Sequence, residues 1–295
     1  MTPLQNDGTA APASGLQSLV HILEAGLLER DVAARLVLLA AVAAEHVLLL
    51  GPPAKSELAR RLQTVIAPPP GHAGQACFER LLTRFSTPEE LFGPLSLKAL
   101  EDDRYERLVE GYLPTAQVAF LDEVFKANSA ILNALLSLLN ERVFDNGTQR
   151  QHVPLVTVVA ASNETPADEA LHAFFDRFLI RVPVQPVSDA AFEGLLSVEP
   201  RATAGIPSAG LLDDAQRQAI AQAAQAVTLA QATMAALQAL RRLLQGDGTG
   251  NGSPVVSDRR WRQLARLLRV AAAAEGRSSV EPSDLRLGAF VPPAD

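Results

Sequence analysis

Four stretches of the chain are apolar nearly throughout: residues 46–50, 117–121, 155–161 and 178–182. The first three stop abruptly, at Gly51-Pro52-Pro53, at Asp122-Glu123 and at Ser162-Asn163-Glu164. Between them the spacing is helical. Residues 16–44 carry two helical segments broken near Gly26, residues 56–65 predict one helix, and Ile131, Leu132, Leu135 and Leu139 mark the buried face of another. Apolar strands that alternate with helices predict a parallel sheet covered on both faces, an α/β fold. After Pro186 the texture changes. Residues 188–295 are rich in Ala and Leu, with helical periodicity and no clear strand-like run. The Trp261 helix places positions 261, 264, 265, 268 and 272 on one face and Arg259, Arg262, Arg266 and Arg269 on the other, with residues 246–254 as a flexible loop before it. The expected organisation is a flexible tail over 1–15, an α/β domain over 16–186 and a small all-helical domain over 187–295, with no internal repeat.

Composition narrows the class. Hydrophobic residues make up 48% of 295, which excludes global disorder. Lys and Arg number 26 against 33 Asp and Glu, a net charge of −7, so a general nucleic-acid surface is not expected. One cysteine, Cys77, excludes a disulfide framework or a Cys-based zinc site and fits the cytoplasm. Apolar stretches such as 36–44 are interrupted by Arg35 and Glu45, and none reaches the roughly 18 residues of a membrane span. Residues 1–15 have neither the basic nor the apolar region of a secretory signal.

In parallel sheets chemistry gathers at the carboxyl ends of strands. Three such ends carry Gly51 through Ser56, Asp122-Glu123 and Asn163. Asp122-Glu123 has the logic of one carboxylate beside a metal ion and a second that polarises water; the plainer alternative is a helix start with acids favoured by the dipole. Gly51-Pro52-Pro53-Ala54-Lys55-Ser56 resembles a phosphate-binding loop, in which backbone amides cradle phosphates, the lysine reaches the terminal ones and the hydroxyl holds magnesium. It offers six residues where the pattern Gly-x4-Gly-Lys-Ser/Thr has eight; the alternative is a proline-bearing turn. Asn163 suits the orientation of a water, or an ordinary turn. Arg177 suits a trans-acting cation for transition-state charge, or an ion pair with Asp176 or a neighbouring residue. Ser257-Asp258 is a plausible helix cap before Arg259 and Arg260. The five histidines show no ligand spacing.

Order and spacing raise these signals together. The chain resembles the AAA+ ATPases, more closely the MoxR family and its RavA (regulatory ATPase variant A) branch. The stretches that carry this are LTRFSTPEE at 82–90, FGPLS at 92–96, RYERL at 104–108, GYLP at 111–114, FLDE at 120–123, KA at 126–127, AILN at 130–133, NER at 140–142, AASNE at 160–164 and VSDRRW at 256–261. The resemblance covers about residues 16–290. The resemblance implies an AAA+ module, a parallel five-stranded sheet flanked by helices, followed by a helical lid. It implies ATP and Mg2+ as cofactors, bound by residues 51–56. Lys55 and Ser56 would contact phosphates and metal, Asp122 would support the metal and Glu123 would activate water. Asn163 would be sensor 1, Arg177 the finger reaching into a neighbouring subunit of a ring, usually a hexamer, and Arg259, with Arg260 second, sensor 2. Residues 104–114 would form a hairpin of the helix-2 insert and residues 141–153 the pre-sensor-1 hairpin, whose Asp145-Asn146-Gly147 turn independently predicts a hairpin.

The departure lies in the phosphate loop, where the family's Gly-x pair between Pro53 and Ala54 is missing. That removes two amide donors and the glycine that lets backbone approach phosphate. A recent or artificial loss, a degenerate ATPase and a loop rebuilt from the next helix are the three readings; retention of every other position favours the first. The expected function is an ATP-driven remodeller or chaperone of protein clients, with a von Willebrand factor A-domain protein as partner and impaired ATP binding in this chain. The alternative is a catalytically inactive scaffold for that partner. A nucleic-acid motor is disfavoured by the acidic balance, and magnesium-chelatase subunits are a related reading. The chain ends near the close of the lid, either as the ATPase module of a longer protein or as a shorter family member.

Overall fold

The computed structural model describes residues 12–52, 55–68, 77–166, 169–197, 210–245 and 256–292. Most of the expected tail, Pro53 and Ala54 of the phosphate loop, and the loop at 246–254 lie outside these residues. The central sheet is built from β1 (Val47–Leu50), β2 (Cys77–Leu81), β3 (Val118–Asp122), β6 (Thr157–Ser162) and β7 (Ile180–Pro183), in the order β2-β3-β6-β1-β7 and parallel throughout. Four of these were the apolar runs. The fifth, β2, is one of the two edge strands, and its sequence CFERL alternates in burial. An antiparallel hairpin, β4 (Val143–Asn146) with β5 (Gln149–His152), interrupts the path to β6.

Helices α1 (Pro12–Glu24), α2 (Asp31–Ala43) and α3 (Ser56–Val65) cover one face of the sheet. The short α4 (Pro88–Phe92), with α6 (Ser129–Glu141) and α7 (Glu169–Phe175), lies toward the other, and α5 (Leu97–Glu101) follows α4 outside that core. Ile131, Leu132, Leu135 and Leu139 are all buried, as their spacing predicts. The later chain supplies α8 (Asp189–Ser197), α9 (Asp214–Ala226), α10 (Gln231–Gln245) and α11 (Asp258–Ala274). Among its described residues it is helical apart from a bridge of Leu212 to Ile66 and one two-residue parallel pair, β8 (Thr228–Leu229) with β9 (Ser279–Val280), which the sequence did not signal.

The insert differs from the expected hairpin at 104–114. Its ladder is a single antiparallel bridge, Leu95 to Arg107, flanked by Ser96 N–H to Glu106 O (2.8 Å) and Leu108 N–H to Pro94 O (2.8 Å). Residues 104–108 are thus only the returning arm of a loop that leaves at Gly93 and carries α5 at its tip.

The helical lid shares a core with the sheet. Leu264, Leu267 and Leu268 of α11 and Ile220 and Ala224 of α9 are buried in one cluster with α2 and β1. Polar contacts tie the same surfaces. Arg266 donates to Glu45 Oε1 (2.7 Å) and to Ala43 O (2.9 Å). Arg260, 2% exposed, donates to Asp176 Oδ1 (2.5 Å) and to the Phe178 carbonyl (3.3 Å). Ser257 caps α11 by accepting from the Arg260 N–H (3.3 Å). Removing a buried guanidinium that serves a carboxylate and a carbonyl leaves both underserved. Arg260→Ala is expected to cost about 2–3 kcal/mol of unfolding free energy in urea titration. Arg259→Ala, on the exposed side of the same turn, should stay within about 0.5 kcal/mol.

His46 joins three elements at the start of β1. Its Nδ1 accepts from the Val158 N–H (3.1 Å) on β6, which leaves Nε2–H to donate to the Leu139 carbonyl (3.2 Å) at the end of α6. Burial, reinforced by the nearby Arg142, pulls its pKa from 6.5 down to about 3. The unfolded chain therefore binds the extra proton first, so this group's stabilisation is complete above about pH 6.5 and is lost as pH falls toward 3. Unfolding free energy measured between pH 6 and 4.5 should drop by about 1.4 kcal/mol per pH unit from this residue. His46→Phe should flatten that slope; an unchanged slope would contradict the assignment.

Candidate functional site

The site is built where β1, β3 and β6 end together. β1 stops at Gly51, whose N–H donates to Ser162 O (3.0 Å). Gly51 has φ +134°, and a Cβ there would lie 2.0 Å from the Val184 carbonyl oxygen, so the turn demands glycine for the close approach of the chain leaving β7. α3 begins at Ser56, so its first turn has not unwound to lengthen the loop. The rebuilt-loop reading is therefore not what the described residues present.

β3 delivers Asp122, whose Oδ1 accepts from the Glu123 N–H (3.0 Å). Glu123 itself sits in the left-handed region at φ +52° and opens a 3-10 turn over Val124–Lys126. β6 ends in a side-chain turn: Ser162 Oγ donates to Glu164 O (2.7 Å) and accepts from Glu164 N–H (3.1 Å). That turn aims Asn163 across the ends of β1 and β3.

Asn163 then joins the other two elements. Its Oδ1 accepts from Lys55 Nζ (2.8 Å) and its Nδ2 donates to Glu123 Oε1 (2.7 Å). Only one orientation of the amide serves both a cation and a carboxylate. Lys126 Nζ stands 3.3 Å from the other oxygen, Glu123 Oε2. Lys55 is 4% exposed, and it also donates to Gly51 O (2.5 Å) and Ser162 O (2.9 Å). An ammonium has three hydrogens, and all three are taken by these oxygens. Burial pulls Lys55 below the ordinary lysine range, while Asp122 and Glu123 oppose the shift.

The sequence-derived site thus divides. Lys55, Asp122, Glu123 and Asn163 come together, with Gly51, Pro52 and Ser56 beside them; Pro53 and Ala54 lie outside the described residues. Arg177 and Arg259 are elsewhere. Ile180 pairs with Val47; Arg177 lies three residues before Ile180, and Gly51 four after Val47. At about 3.3 Å per residue Val47 and Gly51 stand about 13 Å apart, and Arg177 lies in the turn before Ile180, at the opposite end of the sheet from Gly51. Arg177 and Arg259 share the amino end: burial and the charge of Arg259 both lower the Arg177 pKa, and Arg177 Nε is buried with no hydrogen-bond partner. The ion pair considered for Arg177 does not form, because Asp176 is engaged by Arg260 (2.5 Å) and Arg181 (3.8 Å).

Sequence reasoning missed one feature. A cavity of about 200 Å³ opens beside the loop, lined by Glu29, Arg30, Val182, Val184, Pro186 and Phe290 among others. Val184 is the residue against which Gly51 packs. Glu29 is fixed there by Ser188, which donates its N–H (2.7 Å) and hydroxyl (2.5 Å) to the carboxylate. The lining comes from three separated stretches of chain, so no short motif announces it.

The arrangement can be tested against ATP and magnesium. Asp122, Glu123 and Asn163 present the oxygen-rich side that a phosphate-bound metal uses, and no group of three or more potential metal ligands exists among the described residues to hold a metal without phosphate. On the phosphate side, Lys55 donates to three protein oxygens, and the loop is two residues shorter than the Gly-x4-Gly-Lys-Ser/Thr pattern.

Comparisons with known proteins bear on the whole chain. Residues 14–208 match the family described as the MoxR domain in MoxR-vWA-beta-propeller ternary systems, and residues 232–291 match an AAA lid domain. Two uncharacterized proteins of Methanocaldococcus jannaschii are each 48% identical over 175 residues, 58% of this chain. The matched regions span 45% and 44% of those relatives' own lengths. A structural protein of Acidianus two-tailed virus is 32% identical over 105 residues, 34% of this chain and 16% of its own length. A crystal structure of a candidate ATPase from Cytophaga hutchinsonii superposes with a TM-score of 0.72 at 15% identity, over 95% of this chain and 86% of that one, and so shares the fold. No helix among the described residues is long and apolar enough to cross a membrane. With the α/β AAA+ fold, the helical lid and the family match in agreement, the chain belongs to the MoxR family of AAA+ ATPases, in the group described from MoxR-vWA-beta-propeller ternary systems.

Proposed function

We propose that this chain is the motor module of a ring-forming MoxR-type remodeller of protein complexes, and that its nucleotide site is held shut by Lys55. The observation that carries the second half is the triple engagement of the Lys55 ammonium by Gly51 O, Ser162 O and Asn163 Oδ1. The shortened loop is the proposed cause. With two residues fewer between strand and helix, the lysine at the helix start falls onto the strand ends instead of projecting beyond them.

Family membership supports the remodelling role, in which ATP and Mg2+ serve as cofactors in general. The expected partner is a von Willebrand factor A-domain protein, in line with the ternary systems from which the family is described. The RavA-like reading rests on the LTRFSTPEE and VSDRRW stretches. Glu123 is assigned to water activation, Asp122 and Ser56 to metal, and Asn163 to sensing. The cavity beside Val184 is assigned to the base. Arg177 and Arg259 are assigned to a neighbouring copy. They lie at the opposite end of the sheet from Lys55, and a head-to-tail ring, hexameric in this reading, would bring one end of the sheet to the other end of the next.

A second reading is a scaffold that holds the partner without nucleotide control. The same Lys55 contacts favour it, because Asn163 and Glu123 are tied into that resting network. Titration with a fluorescent ATP analogue is expected to show no saturable binding in the micromolar range, and micromolar affinity would overturn the closed-site assignment. Insertion of Gly-Thr between Pro53 and Ala54 should restore turnover. A partner complex that is stable, indifferent to ATP and still without turnover after the insertion would select the scaffold.

A further inference from the structure

The Asn146 side chain bonds the tip of the β4–β5 hairpin to the backbone of the insert. Asn146, 8% exposed, accepts from the Arg107 N–H at Oδ1 (2.7 Å) and donates from Nδ2 to the Arg107 carbonyl (3.1 Å). The geometry of the insert explains why those two groups are available. Leu95 and Arg107 form a bridge closed by the bonds of Ser96 to Glu106 and of Leu108 to Pro94. In such a pairing the backbone N–H and C=O of Arg107 point away from Leu95, toward the side where a third strand would lie. The carboxamide of Asn146 takes that strand's place, offering one acceptor and one donor as a peptide does.

Two further contacts hold the same junction. Gly147 follows at φ +64°, and a Cβ there would lie 2.0 Å from the Tyr105 carbonyl oxygen, so the turn approaches the insert more closely than any side chain permits. Phe144 stacks on Phe92, with ring centroids 5.4 Å apart and planes 17° from parallel. At the other end of α6, Asn128 donates from Nδ2 to Ser86 O (2.8 Å), on the chain that leads into the insert. α6 starts just after Glu123 and Lys126 and ends at the hairpin.

We propose that the insert (93–108) and the hairpin (143–152) form one rigid arm, pinned at Asn146, so that displacement of either displaces the other. This goes beyond the nucleotide-site reading and does not depend on it: the arm is a property of the fold with or without turnover. α6 gives the arm a stiff connection to the turn that carries Glu123.

Hydrogen exchange measured by mass spectrometry on the full chain tests the pin. Asn146→Ala should speed exchange at 104–108 by about tenfold or more, the loss expected for two buried hydrogen bonds, and speed 143–152 as well. Strands 118–122 and 157–162 should stay unchanged. Coupling is read by loosening the insert from its base with Gly93→Ala, where a Cβ would lie 1.9 Å from the Leu108 carbonyl oxygen. In an otherwise native chain this should speed exchange in the hairpin; in the Asn146→Ala background the hairpin should no longer respond. If Gly93→Ala lowers protection of the central strands, Leu95→Ala, a half-buried trim at the bridge, replaces it. A hairpin that ignores both insert variants, or that responds equally with and without Asn146, overturns the single-arm proposal.

Discussion

The position of one ammonium group organises the site. Lys55 lies at the junction of β1, β6 and α3, and its three hydrogens go to two strand-end carbonyls and the Asn163 amide. Each such charge-assisted bond is worth roughly 1.5–3 kcal/mol when its alternative is an unsatisfied buried group. Releasing the lysine without an equivalent set of acceptors therefore costs several kcal/mol, the difference between micromolar and millimolar binding. The same contacts fix Asn163, which fixes Glu123, which Lys126 holds from the other side. One ammonium is thereby linked through Asn163 to Glu123 and Lys126 at the carboxyl end of the sheet.

The sheet is polarised along its strands. Carboxylates and one sequestered lysine occupy its carboxyl end. Arginines crowd its amino end: Arg266 bonds Glu45, and Arg142 and Arg259 are close enough to act on the same carboxylate. Burial raises the pKa of Glu45 despite these three cations. Asp176 engages Arg260 and Arg181, and Arg177 keeps an unpaired buried nitrogen. The lid belongs to this amino end as much as to the cavity, since α11 is fastened to Glu45 and Asp176 while Phe290 lines the cavity near Val184.

The parallel strands were legible because burial on both faces leaves them apolar throughout, and the hairpin was legible from Asp145-Asn146-Gly147. β2 was not, because an edge strand alternates and CFERL reads equally as surface chain. The insert was misread because its ladder is one bridge long and its second arm lies ten or so residues earlier than its motif suggested. Strand ends, the phosphate-loop pattern and the family resemblance pointed to Lys55, Asp122, Glu123 and Asn163, yet the bonds among them depend on the register of β1 against β6, with Leu50 beside Ser162, which no local pattern encodes. Arg260 was a missed inference. It stands four and seven residues before Leu264 and Leu267, on the buried stripe of α11, so helical periodicity already separated it from the exposed Arg259.

A crystal structure of this chain grown with saturating magnesium and a non-hydrolysable ATP analogue tests the central claim most directly. The account predicts Lys55 Nζ within hydrogen-bonding distance of Gly51 O and Ser162 O, with no triphosphate seated between Gly51 and Ser56. A triphosphate held by backbone amides of that loop, with Lys55 turned onto its terminal phosphates and Asn163 released from it, would contradict the account.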